Sequence, residues 1–198
     1  MSLKTLRGED ILLASEARWR SDILNQLGIT HRCQAHRYEE PEYSEGSLID
    51  FVRDTALNKA RSLQENNTST LIISADQLVF LKDEVFHKPG TPEKAIDQLQ
   101  KLNGKKHQLV CAVAVLQGDR QVVRHEQATL SMRQLTADEI RNYVNKDRSW
   151  DCAGSYKIES LGASLFEEVS VKDPTTIIGL PANLLLNILR EWGYSNLI

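Results

Sequence analysis

The apolar positions along the chain fall into short runs separated by amphipathic stretches. Ile11-Leu12-Leu13-Ala14 is a run suited to a buried strand, and residues 18–27 after it follow a helical pattern closed by Gly28. Residues 48–63 carry Val52, Ala56, Lys59 and Leu63 at the spacing of one helical face. Leu71-Ile72-Ile73-Ser74-Ala75 is the most strand-like run, and the pattern ends this strand at Asp76-Gln77. Residues 78–81 and 84–86 flank Lys82-Asp83 as the arms of a hairpin. Thr91-Pro92 opens a helix that Gly104 closes, and residues 109–116 and 121–132 read as strands around Gly118-Asp119. Thr136-Ala137-Asp138-Glu139 is a capping box before a short helix, and Ile177-Ile178-Gly179-Leu180-Pro181 leads into a last helix ending near Gly193. Strands alternate with helices, but hairpins interrupt the alternation. The pattern therefore predicts an α/β fold with a mixed sheet and a ligand crevice at strand ends.

Composition narrows the class. The chain has 198 residues, enough for one domain over 1–198 or two lobes sharing a cleft. Its formal net charge of −3 provides no field that would draw it to a nucleic-acid polymer or to acidic lipid. No apolar run approaches the roughly 20 residues that span a bilayer, and the start, MSLKTLRGED, lacks the apolar stretch of a signal peptide. Cys33, Cys111 and Cys152 are odd in number and widely spaced, as free thiols in a reducing compartment would be. A cytoplasmic protein is expected.

Several residues could carry chemistry. Asp76 follows the most apolar strand, where a carboxylate can hold a hard cation or activate water; an Asp capping its own turn is the alternative. Glu39-Glu40 offers oxygen ligands for Mg²⁺ or Mn²⁺, or a solvated acidic loop. Arg20, Lys59 and Lys88 could bind a polyphosphate. Lys59 could equally snorkel past its apolar face to water, whereas Pro89 biases Lys88 to an extended backbone. Ser15 and the helix start behind it add donors where a helix N-terminus favours anions. No GxxxxGK[ST] or GxGxxG is present, and the five histidines never fall at HxxxH spacing. Metal-assisted attack by water fits these residues better than a covalent nucleophile.

Taken in order, Leu12-Leu13-Ala14-Ser15, Glu39-Glu40, Lys59-Ala60, Asp76-Gln77, Lys88-Pro89, Gly104 with His107, Tyr143-Val144, Ala153-Gly154-Ser155-Tyr156 and Gly179-Leu180-Pro181 resemble the Maf-like (septum-formation) nucleotide pyrophosphatases from end to end. The resemblance implies an elongated α/β fold, similar to inosine triphosphatases, with a mixed sheet, flanking helices and a deep central cleft. It further implies hydrolysis of a nucleoside triphosphate between its α and β phosphates, aided by a divalent cation, Mg²⁺ or Mn²⁺. On the matching positions, Asp76 is the expected catalytic base. Glu39, Glu40 and Asp76 are the expected metal ligands. Ser15, Arg20, Lys59 and Lys88 are expected to face the phosphates.

The commonest family pattern has Arg, Thr and Gln where this chain has Trp19, Gln77 and Glu159. That triplet is similar to the branch acting on 7-methyl-GTP. An indole face can stack on the cationic methylated base, contributing about 0.5–2 kcal/mol, and a carboxylate can accept from the guanine N1–H and N2–H₂ edge. Trp19 covering core and Glu159 standing in solvent are the structural alternatives. Ala17-Arg18 replaces the family's Ser-Pro, which removes one hydroxyl from the phosphate loop and adds a charge. The expected partner is a small nucleotide, with neither a nucleic-acid polymer nor a membrane; a homodimer is allowed. A dTTP, UTP or other modified-nucleotide pyrophosphatase, and a catalytically weakened nucleotide-binding regulator, are the competing readings.

Overall fold

The computed structural model describes residues 3–197. In chain order its elements are β1 (Lys4–Thr5), β2 (Ile11–Leu13), α1 (Arg18–Gln26), β3 (Arg32–Cys33), α2 (Leu48–Arg61), β4 (Leu71–Leu81), β5 (Glu84–Phe86), α3 (Pro92–Leu102), β6 (Lys106–Gln117), β7 (Arg120–Met132), α4 (Ala137–Asp147), β8 (Phe166–Ser170), α5 (Thr175–Ile178), α6 (Ala182–Glu191) and β9 (Tyr194–Ser195). Three short 3-10 turns lie between α4 and β8. The main sheet has seven strands in the order β3-β2-β4-β6-β7-β8, with β5 paired to β4. β2 runs parallel to β3 and β4, while β4–β5 and β7–β8 are antiparallel. The sheet is mixed, as the interrupted alternation predicts.

Contacts divide the chain into two compact units, each assembled from separated segments. The first runs to Asp76 and adds Cys111–Glu126 and everything from Gly179 on; the second comprises Gln77–Val110 and Gln127–Ile178. In the first unit, Ile11, Leu12 and Leu13 are all but sealed from solvent, because a strand with parallel neighbours and covered faces reads as a continuous apolar run. Helix α2 starts at Ser47, whose hydroxyl accepts from the Asp50 N–H, and lays Val52, Thr55, Ala56, Lys59 and Ala60 inward. Ser74 of β4 donates its hydroxyl to the Ala56 carbonyl, which ties the strand to that face.

In the second unit, α3 is capped by Thr91 with Pro92 in its first turn, and α4 by the full Thr136/Glu139 capping box. Helix α4 is 11 residues long, so the helix behind that box is not short. His107, Tyr156 and Phe166 cluster with ring centroids 5.0–5.9 Å apart, and burial pushes the His107 imidazole down to about 4. The three cysteines are free thiols, and burial raises that of Cys152 to about 12. Among the described residues, no helix is long and apolar enough to cross a membrane.

The sequence pattern misplaces several boundaries, starting β6 at 109 where it begins at Lys106, and one of them bears on the chemistry. Strand β4 does not stop at Asp76-Gln77 but continues to Leu81. Backbone ladder bonds are indifferent to side-chain polarity, so a polar pair inside a strand changes what its faces carry without ending it. Asp76 is therefore a mid-strand carboxylate, fixed by sheet backbone on both sides.

Candidate active site

Asp76 is 6 % exposed and Lys59 is 5 % exposed, so two charges lie inside the first unit. Lys59 Nζ donates to Asp76 Oδ1 at 2.6 Å, and Glu40 Oε2 lies 2.9 Å from the same nitrogen. Lys59 thus does not snorkel to water. Its helix faces β4, and the ammonium finds a carboxylate there, the condition under which a buried charge is tolerated. Glu40 comes from the segment between β3 and α2, and its other oxygen, Oε1, lies 3.3 Å from His36 Nε2. Burial and the positive charges of Lys59 and Arg20 hold the His36 imidazole below its ordinary value, against the opposing pull of Glu40.

A second group surrounds Arg20, at the start of α1. Its Nε donates to the Gly179 carbonyl at 2.9 Å, and Nη1 donates to Ser15 Oγ at 3.1 Å. Ser15 Oγ also accepts from the Ala17 N–H at 3.1 Å, just ahead of α1. Gly179 holds φ at 119°, a conformation open to glycine and strained for other residues, so its carbonyl is aimed at the guanidinium by backbone geometry. Arg18, the extra charge of the altered loop, is 91 % exposed and pairs with Asp22 one turn on. Trp19 is half-buried in the first turn of α1.

The remaining sequence-predicted residues are placed less closely. Glu39 is exposed beside Glu40. Gln77, Lys88 and Glu159 belong to the second unit. There Gln77 donates its amide to the Ile177 carbonyl at 3.1 Å, which leaves Oε1 as an acceptor. Lys88 and Glu159 are exposed, the latter in a turn whose Lys157 carbonyl accepts from the Ser160 and Gly162 N–H groups. A hollow of about 530 Å³ in the second unit, lined by Leu81, Lys82, Asp83, Glu84, Lys105 and Lys106, contains none of the predicted site residues. The structure thus joins Asp76, Lys59 and Glu40 directly, with Arg20 close enough to act on the adjoining His36. Sequence reasoning gave His36 no role, and it read Gly179 only as a family landmark and not as the partner of Arg20. His36 does fall four residues before Glu40, but outside any helix that spacing carries no signal.

Two carboxylates meeting one ammonium suit a divalent cation held by one or two protein oxygens with phosphate and water completing the shell. Among the described residues, no group of three His, Cys, Asp or Glu side chains forms a closed cage. The donor set of Glu40 and Asp76 fits the open kind of site and not the caged kind.

Known proteins resemble this chain along nearly its whole length. The Maf-like protein family matches residues 10–192. A Bdellovibrio bacteriovorus protein named 7-methyl-GTP pyrophosphatase is 33 % identical over 183 residues, covering 92 % of this chain and 97 % of its own. An Idiomarina loihiensis protein of the same name is 36 % identical over 191 residues, covering 94 % and 96 %. Among solved structures, the Staphylococcus aureus Ham1 protein superposes with a TM-score of 0.55 at 16 % identity, over 93 % of this chain and all of its own, a likeness of fold alone. The family match over nearly the whole chain and these full-length relatives make this protein a member of the Maf-like family, in the branch whose curated relatives are named 7-methyl-GTP pyrophosphatases.

Proposed function

We propose that the protein is a nucleoside triphosphate pyrophosphatase that converts 7-methyl-GTP to 7-methyl-GMP and pyrophosphate. The observation that carries the reading is the buried Asp76 on β4, gripped by Lys59, which also meets Glu40. The names of the full-length relatives support the substrate.

In this reaction a water oxygen forms a bond to the α-phosphorus, and the bond from that phosphorus to the bridging oxygen breaks. Pyrophosphate leaves, and the proton of the attacking water passes to an Asp76 carboxylate oxygen. Lys59 fixes that carboxylate at 2.6 Å, so the base is oriented before substrate arrives. Arg20, steadied by Ser15 and the Gly179 carbonyl, presents a fixed guanidinium to phosphate oxygens. A divalent cation, when bound through Glu40 and Asp76, would polarise the α-phosphoryl group and offset its charge. Glu39, beside Glu40, would reach such a cation only from the solvent side. Trp19 would stack on the base.

The test is pyrophosphate release from 7-methyl-GTP, GTP, dTTP and UTP with Mg²⁺ or Mn²⁺, by the parent and by Asp76→Asn. The parent should favour 7-methyl-GTP. The variant, folded by circular dichroism, should lose about 10²–10⁴-fold in kcat, the share a positioned base supplies. Parental turnover by Asp76→Asn would remove Asp76 as the base, and a preference for dTTP or UTP would move the protein to the other branch.

A further inference from the structure

Glu40 has work to do in the proposed reaction, and it stands in an irregular segment. Residues 34–46, between β3 and α2, form neither helix nor strand, and the Glu40 side chain is 47 % exposed. Lys59 restrains one carboxylate oxygen only, and Lys59 must also serve Asp76.

The segment is anchored one residue after His36. The Arg37 N–H donates to Ser62 Oγ at 2.9 Å, and that hydroxyl donates to the Lys59 carbonyl at 2.7 Å. The backbone beside His36 is thereby tied to the residue whose ammonium the site uses. From this anchor the imidazole, 23 % exposed, reaches forward and sets Nε2 3.3 Å from Glu40 Oε1. A carboxylate can only accept, so this contact is attractive when Nε2 carries the imidazole proton. The two Glu40 oxygens thus face different partners, Oε1 with Nε2 at 3.3 Å and Oε2 with Nζ at 2.9 Å.

We propose that His36 is a positioning residue, which fixes the Glu40 carboxylate in the orientation needed to meet a divalent cation at Asp76. The proposal rests on the pyrophosphatase reading for its purpose, though its test does not need turnover. Partners behind a metal ligand typically account for 10–100-fold in metal affinity. His36→Leu removes the donor at similar bulk, while His36→Gln returns an N–H at the same reach.

Mn²⁺ binding would be read from the loss of the free-ion electron paramagnetic resonance signal, with a non-hydrolysable α,β-methylene analogue of GTP present. His36→Leu should bind Mn²⁺ about 10-fold more weakly, and should need correspondingly more Mn²⁺ for half-maximal turnover while kcat at saturating metal stays near the parent's. His36→Gln should restore most of the binding. In a Glu40→Gln background, His36→Leu should have no further effect, which a general packing role would not produce. Unchanged Mn²⁺ binding in His36→Leu overturns the proposal, as does a His36→Gln protein as weak as His36→Leu, or a parent that binds no Mn²⁺. A parent that binds Mn²⁺ but releases no pyrophosphate overturns the pyrophosphatase reading alone, and the binding comparison still decides the role of His36.

Discussion

Trp19 shows what a single position on a helix can and cannot determine. In the first turn of α1 it is half-buried, so one part of the indole packs and another is left uncovered. A residue serving the core alone would be covered throughout, and one serving only solvent contact would seldom be tryptophan. Stacking on a cationic methylated ring is worth about 0.5–2 kcal/mol, and on neutral guanine less. Trp19→Leu should therefore lower kcat/KM for 7-methyl-GTP by about 2- to 30-fold, and for GTP by a smaller factor. Parallel kinetics on the two substrates check this; an equal loss on both would leave Trp19 as packing only. Lys59 illustrates the converse. Its place on the apolar face of α2 was legible from the spacing of Val52, Ala56 and Leu63, but not whether it escaped to water. That depended on Asp76, on another element, whose arrival opposite Lys59 no local pattern encodes.

At the scale of elements, the turn carrying Glu159 depends on a glycine. The Lys157 carbonyl accepts from both the Ser160 and Gly162 N–H groups, and a Cβ on Gly162 would press into the Lys157 backbone well inside van der Waals contact. The Lys157 side chain meanwhile pairs with Asp151 and donates to the Arg148 carbonyl at the end of α4, so the turn cannot back away without breaking those bonds. Gly162→Ala should cost about 1–3 kcal/mol, the range for overpacking a closed site, read as a lower urea midpoint at unchanged slope. A midpoint within error of the parent's would mean the turn relaxes freely. This turn was not legible in advance, since the 3-10 segments between α4 and β8 have no periodicity to read. By contrast α2 announced itself by its apolar spacing, and α3, α4 and the β4–β5 hairpin by a cap, a proline or a turn pair. Residue chemistry raised Asp76, Lys59 and Glu40 as candidates and the Maf-like motif order gave them roles; their meeting at one nitrogen, with His36 behind, came only from the fold.

At the scale of the whole molecule, each compact unit is discontinuous in sequence, and the chain passes from one to the other within β4, β6 and β7. The first unit consequently relies on the last stretch of chain to finish a core begun at Ile11. Helix α6 contributes Leu185, Ile188 and Leu189, each no more than 1 % exposed, and β9 pairs with β1 in parallel. Gly179, the first residue of that stretch, also gives Arg20 the carbonyl that aims it. Burial of three such side chains contributes on the order of 6 kcal/mol, comparable with the roughly 5–15 kcal/mol by which a domain is stable at all. A chain ending at Ile178 should therefore lose the first unit as an ordered body, though it retains Asp76, Lys59 and Glu40. Amide hydrogen exchange measures this directly: protection of the β2 and α2 amides should collapse towards unfolded rates, and nucleotide turnover should vanish with it. Native protection across β2 and α2 in the shortened chain would show that α6 decorates this core without completing it, and the site's dependence on Gly179 would have to be judged by the Arg20 contacts alone.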